Sequence, residues 1–328
     1  MSTLAPTLQA FFTDRLAHQR DASPHTVAAY RDTFRTLLSF CRDRTGKEPS
    51  ELAFEDLDAE LVAAFLEHAQ KERQNTVRTR NARLAAIHSF FRYAAFQHPE
   101  HAALIQRVLA VPHKRHERAL VTFLEPKELE AILAAPNQTT WVGRRDHALL
   151  LLAAQTGLRQ SELTGLRTQD LHLGPGPYVR CTGKGRKERC TPLTRQTVNV
   201  LRTWLAEGEG VPHDLLFPSL HSGRLSADAF QRLLHNYAAA ASGQQPSLAE
   251  KTVTPHVLRH TCAMNLLSHG VDTSVIALWL GHESVQTTQI YLHADMSLKE
   301  RALARTARPR TRTTRYRASD SLLAFLSG

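Results

Sequence analysis

The residues able to do chemistry gather between Thr254 and His293. Thr254-Pro255-His256-Val257-Leu258-Arg259-His260 opens that stretch, Leu280-Gly281-His282 follows, and Ile290-Tyr291 closes it. These side chains suit phosphoryl chemistry. A guanidinium fork matches two phosphate oxygens, and an imidazole can hold or pass a proton near neutrality. A tyrosine oxygen can form a covalent intermediate. Upstream, Arg159 and Glu162 lie in Thr156-Gly157-Leu158-Arg159-Gln160-Ser161-Glu162-Leu163, and Lys184 lies between Gly183 and Gly185.

The elements that must position these groups are helices with readable ends. Thr254 is an N-cap candidate, and Pro255 sits where a first-turn proline is tolerated. His256, Arg259 and His260 then fall at i, i+3 and i+4 and share a face. Gly270 stops that helix, Asp272 can cap the next, Ser274 to Leu280, and Gly281 ends it so that His282 is presented. The segment Glu283 to Tyr291 carries Thr287, Thr288 and Gln289 before the phenol. Arg145 to Ala154 is apolar enough for a central helix stopping at Thr156-Gly157. Arg159 then opens a further helix, where backbone N–H groups and the dipole favour phosphate. Tyr178 to Thr182 and Glu188 to Leu193 read as strands joined by Gly183-Lys184-Gly185-Arg186-Lys187, whose glycines permit a tight turn. A nucleotide-binding P-loop is excluded, because no helix follows the lysine and Gly185 stands where Ser or Thr is needed.

Composition sets the partner. The chain has 328 residues, a formal net charge of +10 and a pI near 9.8, which point to a polyanion. No apolar run approaches the roughly twenty residues of a spanning helix, and Met1 to Ala10 lacks the pattern of a secretory leader. Cys41, Cys181, Cys190 and Cys262 contain no C-x-x-C pair and fit reduced thiols in a cytoplasmic protein. Cys181 and Cys190 could face each other across the hairpin. Before residue 112 the chain is helical: Ser23-Pro24 starts a helix with Val27, Tyr30, Phe34, Leu37, Leu38 and Cys41 at three- and four-residue steps. Other helices fit Ala59 to Lys71 and Thr76 to Phe96, the latter with Leu84, Ile87, Phe90 and Phe91 inward and Arg78, Arg80, Arg83 and Arg92 mostly outward. Lys114 and Arg115 lie in a basic segment without periodicity, suited to a phosphate backbone. Arg78, Arg80, Arg83, Lys114, Arg115, Arg186 and Lys187 are the candidates for contact with such a phosphate backbone.

The ordered set H-x-x-R-H at His256, Arg259 and His260, L-G-H at 280–282 and Tyr291 resembles the tyrosine recombinase (phage-integrase) family. Thr156 to Leu163 is similar to that family's T-G-x-R-x-x-E-L box. Ser23, Thr26 and Tyr30 resemble its small helical core-binding domain. The resemblance implies a mainly α fold: a helical SAM-like core-binding domain over residues 1–112, a basic linker over 113–120, and a mainly α catalytic domain with a small antiparallel sheet over 121–318. Residues 319–328 form a tail. It further implies a C-shaped clamp on double-stranded DNA carrying an inverted-repeat site, a homo- or hetero-tetramer on that DNA, no membrane partner and no metal or other cofactor. Arg159, Lys184, His256, Arg259, His282 and Tyr291 would be catalytic, with Glu162 and His260 supporting. In that scheme Tyr291 forms a 3′-phosphotyrosine, His256 accepts the phenolic proton, Lys184 protonates the departing 5′-oxygen and His282 positions the phosphate. The tail resembles integrases of mobile elements.

Three other readings compete. His256 and His260 stand at i and i+4 as zinc ligands do, but Val257 occupies the position of the zincin glutamate. A DNA-binding accessory protein without activity would explain the charge but not the ordered residues. A type IB topoisomerase would share the chemistry, though the helical domain and the histidine of the L-G-H box favour a recombinase.

Overall fold

A computed structural model of the chain describes residues 4–115, 121–183, 188–207, 215–221, 223–282 and 284–294. Two compact units divide between Arg118 and Ala119.

The first unit is helical: α1 (Leu4–Ala10) runs on as a π-helix (Phe11–Gln19), followed by α2 (Pro24–Thr45), α3 (Ala59–Lys71), α4 (Val77–Gln97) and α5 (Ala102–Leu109). Local chemistry sets the starts. The Ser23, Asp58 and Thr76 side chains accept the backbone N–H groups of Thr26, Leu61 and Thr79. Phe11, Phe34, Phe54, Phe65, Phe90 and Phe91 fill the core, and Phe90 stands edge-on to Phe11 and Phe34. Here the outward reading of the α4 arginines is half right. Arg78 and Arg92 are exposed, but Arg80 is buried and donates to the Pro112 carbonyl (3.2 Å) and Asn81 Oδ1 (3.0 Å). Arg83 donates to Thr36 Oγ1 (2.7 Å) and reaches Asp32 (3.3 Å) on α2. A long side chain on a polar-looking face can bend back to satisfy backbone and neighbouring helices, so these two arginines hold the unit together. Lys114 and Arg115 are exposed; Lys114 Nζ donates to Gln70 Oε1.

The second unit is built on α6 (Pro126–Ala134), α7 (Trp141–Thr156), the short α8 (Gln160–Leu163), strands β1 (Leu171–His172), β2 (Tyr178–Thr182) and β3 (Glu188–Pro192), then α9 (Arg195–Ala206), α10 (Ala227–Ala241), α11 (Pro255–Ser268), α12 (Thr273–Leu280) and α13 (Gln289–Ala294). The sheet is antiparallel in the order β1-β2-β3. Strand β1 was not expected. Helix α7 is buried along Ala148–Ala154, as its apolar run requires, and α11 packs on it. The cores of this unit run from Leu124 to Leu258 and, around Tyr291, through Cys262, Leu267, Ile276 and Leu280. Register settles the cysteines: Cys181 pairs with Arg189 and Cys190 with Arg180, so Cys181 points inward and Cys190 outward. All four thiols are free.

Candidate active site

Six elements deliver the site. Helix α7 ends at Gly157, whose φ of +60° suits glycine. Space demands glycine there too, because a Cβ would stand 2.7 Å from Leu280 Cδ2. The next turn brings Arg159 to the start of α8. Its N–H is not left for a phosphate, contrary to expectation: Glu162 Oε2 accepts it at 2.7 Å, and the helix is one turn long. The Arg159 guanidinium donates to Glu162 Oε1 (3.0 Å) and to the Gly281 carbonyl (2.9 Å).

Helix α11 opens as its sequence dictates, with Thr254 Oγ1 accepting from Val257 N–H and Pro255 in the first turn. Arg259 is only 4% exposed and donates to the Gly157 (2.6 Å) and Leu280 (2.7 Å) carbonyls. Burial, with the neighbouring Arg159 charge, brings its pKa down to about 10, so it stays cationic at neutral pH. Both arginines are thus braced by backbone oxygens that bring together the ends of α7 and α12.

Tyr291 on α13 is 1% exposed. Its hydroxyl lies 3.0 Å from His260 Nδ1. The nitrogen in reach of the phenol therefore belongs to His260 and not to His256, which is exposed one turn earlier with its ring edge-on to His260 at 4.7 Å. Burial pushes the phenol up to about 12, although Arg259 pulls the other way. The same burial, with His256 and Arg259 nearby, pushes His260 down to about 4. In the resting site the proton stays on the tyrosine and the imidazole is neutral.

His282 follows Gly281, and its Nδ1 lies 2.8 Å from the buried Thr288 Oγ1. Its ring stacks near Tyr291, and burial with Arg259 and Arg159 nearby lowers its pKa to about 4. Two residues here had no role in the sequence reading. Thr288 holds His282 while its carbonyl accepts the Tyr291 N–H at 3.1 Å. Arg189, on the inward face of β3, donates to both Glu162 oxygens (3.1 and 2.6 Å). Strand alternation puts Arg189 on one face with Thr191, and the hairpin register, which pairs it with Cys181, makes that face the inward one. Burial raises the Glu162 pKa, but the contacts with Arg189 and Arg159 outweigh it and hold the carboxyl below its usual range. Lys184, Arg186 and Lys187 lie outside the described residues, as does everything after Ala294. Among the described residues no group of three His, Cys, Asp or Glu is placed to hold a metal, and no helix is long and apolar enough to cross a membrane.

Both histidines bind protons more weakly folded than unfolded. Their contribution to stability is complete above the ordinary value of 6.5 and drains away as pH falls toward about 4. Melting temperature should therefore decline across that window more steeply in the parent protein than in His260→Gln. Parallel declines in a thermal-melt series would show that His260 carries no such linkage.

The phage integrase family model matches residues 122–297, and the phage integrase N-terminal SAM-like domain matches residues 10–98. The Sinorhizobium fredii protein y4rC is 56% identical over 99% of this chain and 98% of its own length. This chain belongs to the phage integrase family. Its relatives include the tyrosine recombinase XerD of Pseudomonas aeruginosa, 33% identical over 89% of this chain and 94% of that one. A crystal structure of the XerH site-specific recombinase bound to palindromic difH substrate, in a post-cleavage complex, superposes with a TM-score of 0.68 at 25% identity, covering 87% of this chain and 81% of that one. A Tn1549 transposon integrase in complex with transposon right end DNA shares the fold of this phage integrase (TM-score 0.69, 16% identity, 92% of this chain and 99% of that one).

Proposed function

We propose that this phage integrase is a tyrosine-type site-specific recombinase that cleaves and rejoins double-stranded DNA through a 3′-phosphotyrosine. The observation that carries the reading is the gathering of Arg159, Arg259, His260 and His282 around one buried tyrosine. Tyr291 Oη attacks a backbone phosphorus, the P–O5′ bond breaks, and the phenolic proton passes to His260 Nδ1. That transfer accompanies formation of the P–O bond, because an imidazole near 4 cannot deprotonate a phenol near 12 beforehand. Arg159 and Arg259 stabilise the charge on the non-bridging oxygens, His256 and His282 orient the phosphate, and Lys184 protonates the departing 5′-oxygen. A 5′-hydroxyl from a second strand reverses these steps without ATP, since the phosphotyrosine keeps the bond energy.

The DNA partner is supported by the +10 charge and by the substrate complexes of XerH. Exchange of four strands calls for a homo- or hetero-tetramer on inverted-repeat sites, acting in the cytoplasm where free thiols persist. The exposed Arg78, Lys114 and Arg115 remain phosphate-contact candidates beside Arg186 and Lys187, whereas Arg80 and Arg83 serve the fold. A plasmid carrying two copies of the inverted repeat flanking the gene tests the reading. Inversion or deletion between the copies is expected with a chelator present and no nucleotide. Relaxation independent of the repeats would establish the topoisomerase alternative instead.

A further inference from the structure

We propose that Arg189 is a positioning residue for DNA cleavage: it shares the Glu162 carboxylate so that the Arg159 guanidinium keeps a net charge for the phosphate. This rests on the recombinase reading.

The argument is one of charge and space. Glu162 receives the Arg159 N–H and Nη1 on one side and both terminal nitrogens of Arg189 on the other. The Glu162 and Arg189 side chains are only 5% and 11% exposed, so water screens the cluster little. One carboxylate against two guanidiniums leaves a charge of +1. Without Arg189, Glu162 and Arg159 would cancel, and a phosphate would meet a neutral pair. Arg189 also bears on the peptide that presents His282. Gly281 has φ +65°, and a Cβ there would stand 2.8 Å from Arg189 Nη1. The buried Arg189 Nε has no hydrogen-bond partner, so Glu162 alone anchors this guanidinium among the described residues. The same ion pair fastens strand β3, which follows the segment holding Lys184 in the sequence, to Glu162 and through it to Arg159.

The test measures the rate of covalent adduct formation on a nicked recombination site under single turnover, with DNA affinity and melting temperature read alongside. Arg189→Gln should slow the adduct about 10²-fold, the typical effect of losing one such charge donor, while DNA affinity holds. Glu162→Gln added to Arg189→Gln should restore most of the rate, because a neutral carboxamide no longer cancels Arg159. A residue that merely props the fold would make the double variant as slow as the single one or slower. That result, or an undiminished rate in Arg189→Gln, overturns the proposal. Should Arg189→Gln not fold, Arg189→Lys decides: it retains the charge and should lose less than a tenfold in rate, and a loss as large as that of Arg159→Ala refutes the charge argument. If the parent protein forms no adduct, the recombinase reading itself fails. An adduct in the parent that is indifferent to Arg189 removes only the positioning role.

Discussion

Tyr291→Phe protein is expected to bind recombination-site DNA as the parent does and to form no covalent adduct. The substitution deletes the attacking oxygen and keeps the ring that packs among Cys262, Leu267 and Leu280. What the fold loses is the hydrogen bond to His260, worth about 1 kcal/mol for a neutral pair. Loss of activity will thus come without loss of structure, and a denaturing gel of the protein with a nicked substrate reads it directly. Tyr316, flanked by Arg315 and Arg317, is the competing nucleophile and lies outside the described residues. A labelled peptide containing Tyr316 would overturn the assignment.

The second large effect belongs to Lys184→Ala, which should slow cleavage by roughly 10²–10⁴, the usual contribution of a general acid. Lys184, Arg186 and Lys187 all lie in the β2–β3 connection, and charge does not distinguish them. A lysine can give a proton to the leaving 5′-oxygen, whereas an arginine practically cannot. Replacing that bridging oxygen by sulfur creates a leaving group that departs unprotonated. On the sulfur substrate Lys184→Ala should regain most of its rate, while Arg159→Ala and Arg259→Ala should remain slow. Equal slowness on both substrates would assign Lys184 to phosphate binding.

Legibility in the sequence followed the range of the interactions. Helix starts were readable where one side chain caps its own turn, as at Ser23 and Thr254. Helix α5, whose first residue follows an uncapped His101, and the two-residue β1 offered no such signal. The family resemblance set out Arg159, Arg259, His282 and Tyr291 in order, and they meet in space. The choice between His256 and His260 was not readable, because it depends on where α13 lands against α11. Arg189 needed the hairpin register, which pairs it with the buried Cys181. Arg80 and Arg83 show the opposite limit. Helical periodicity gives a direction to each Cα–Cβ bond, but a guanidinium several bonds further out goes where acceptors are.

The contact between Gly281 and Arg189 also bears on how such enzymes can diverge. The two positions lie far apart in the chain, yet a side chain at 281 would compete with Arg189 for the same space. A side chain at 281 would have to displace the Arg189 guanidinium, and the left-handed backbone there favours glycine even without Arg189. The hairpin and the L-G-H turn are therefore coupled through one contact. A gene fusion whose junction falls between them brings Gly281 and Arg189 from different parents and so puts this contact to the test. Substitutions at Arg180 and Cys190, on the outward edge of the hairpin, leave this contact untouched.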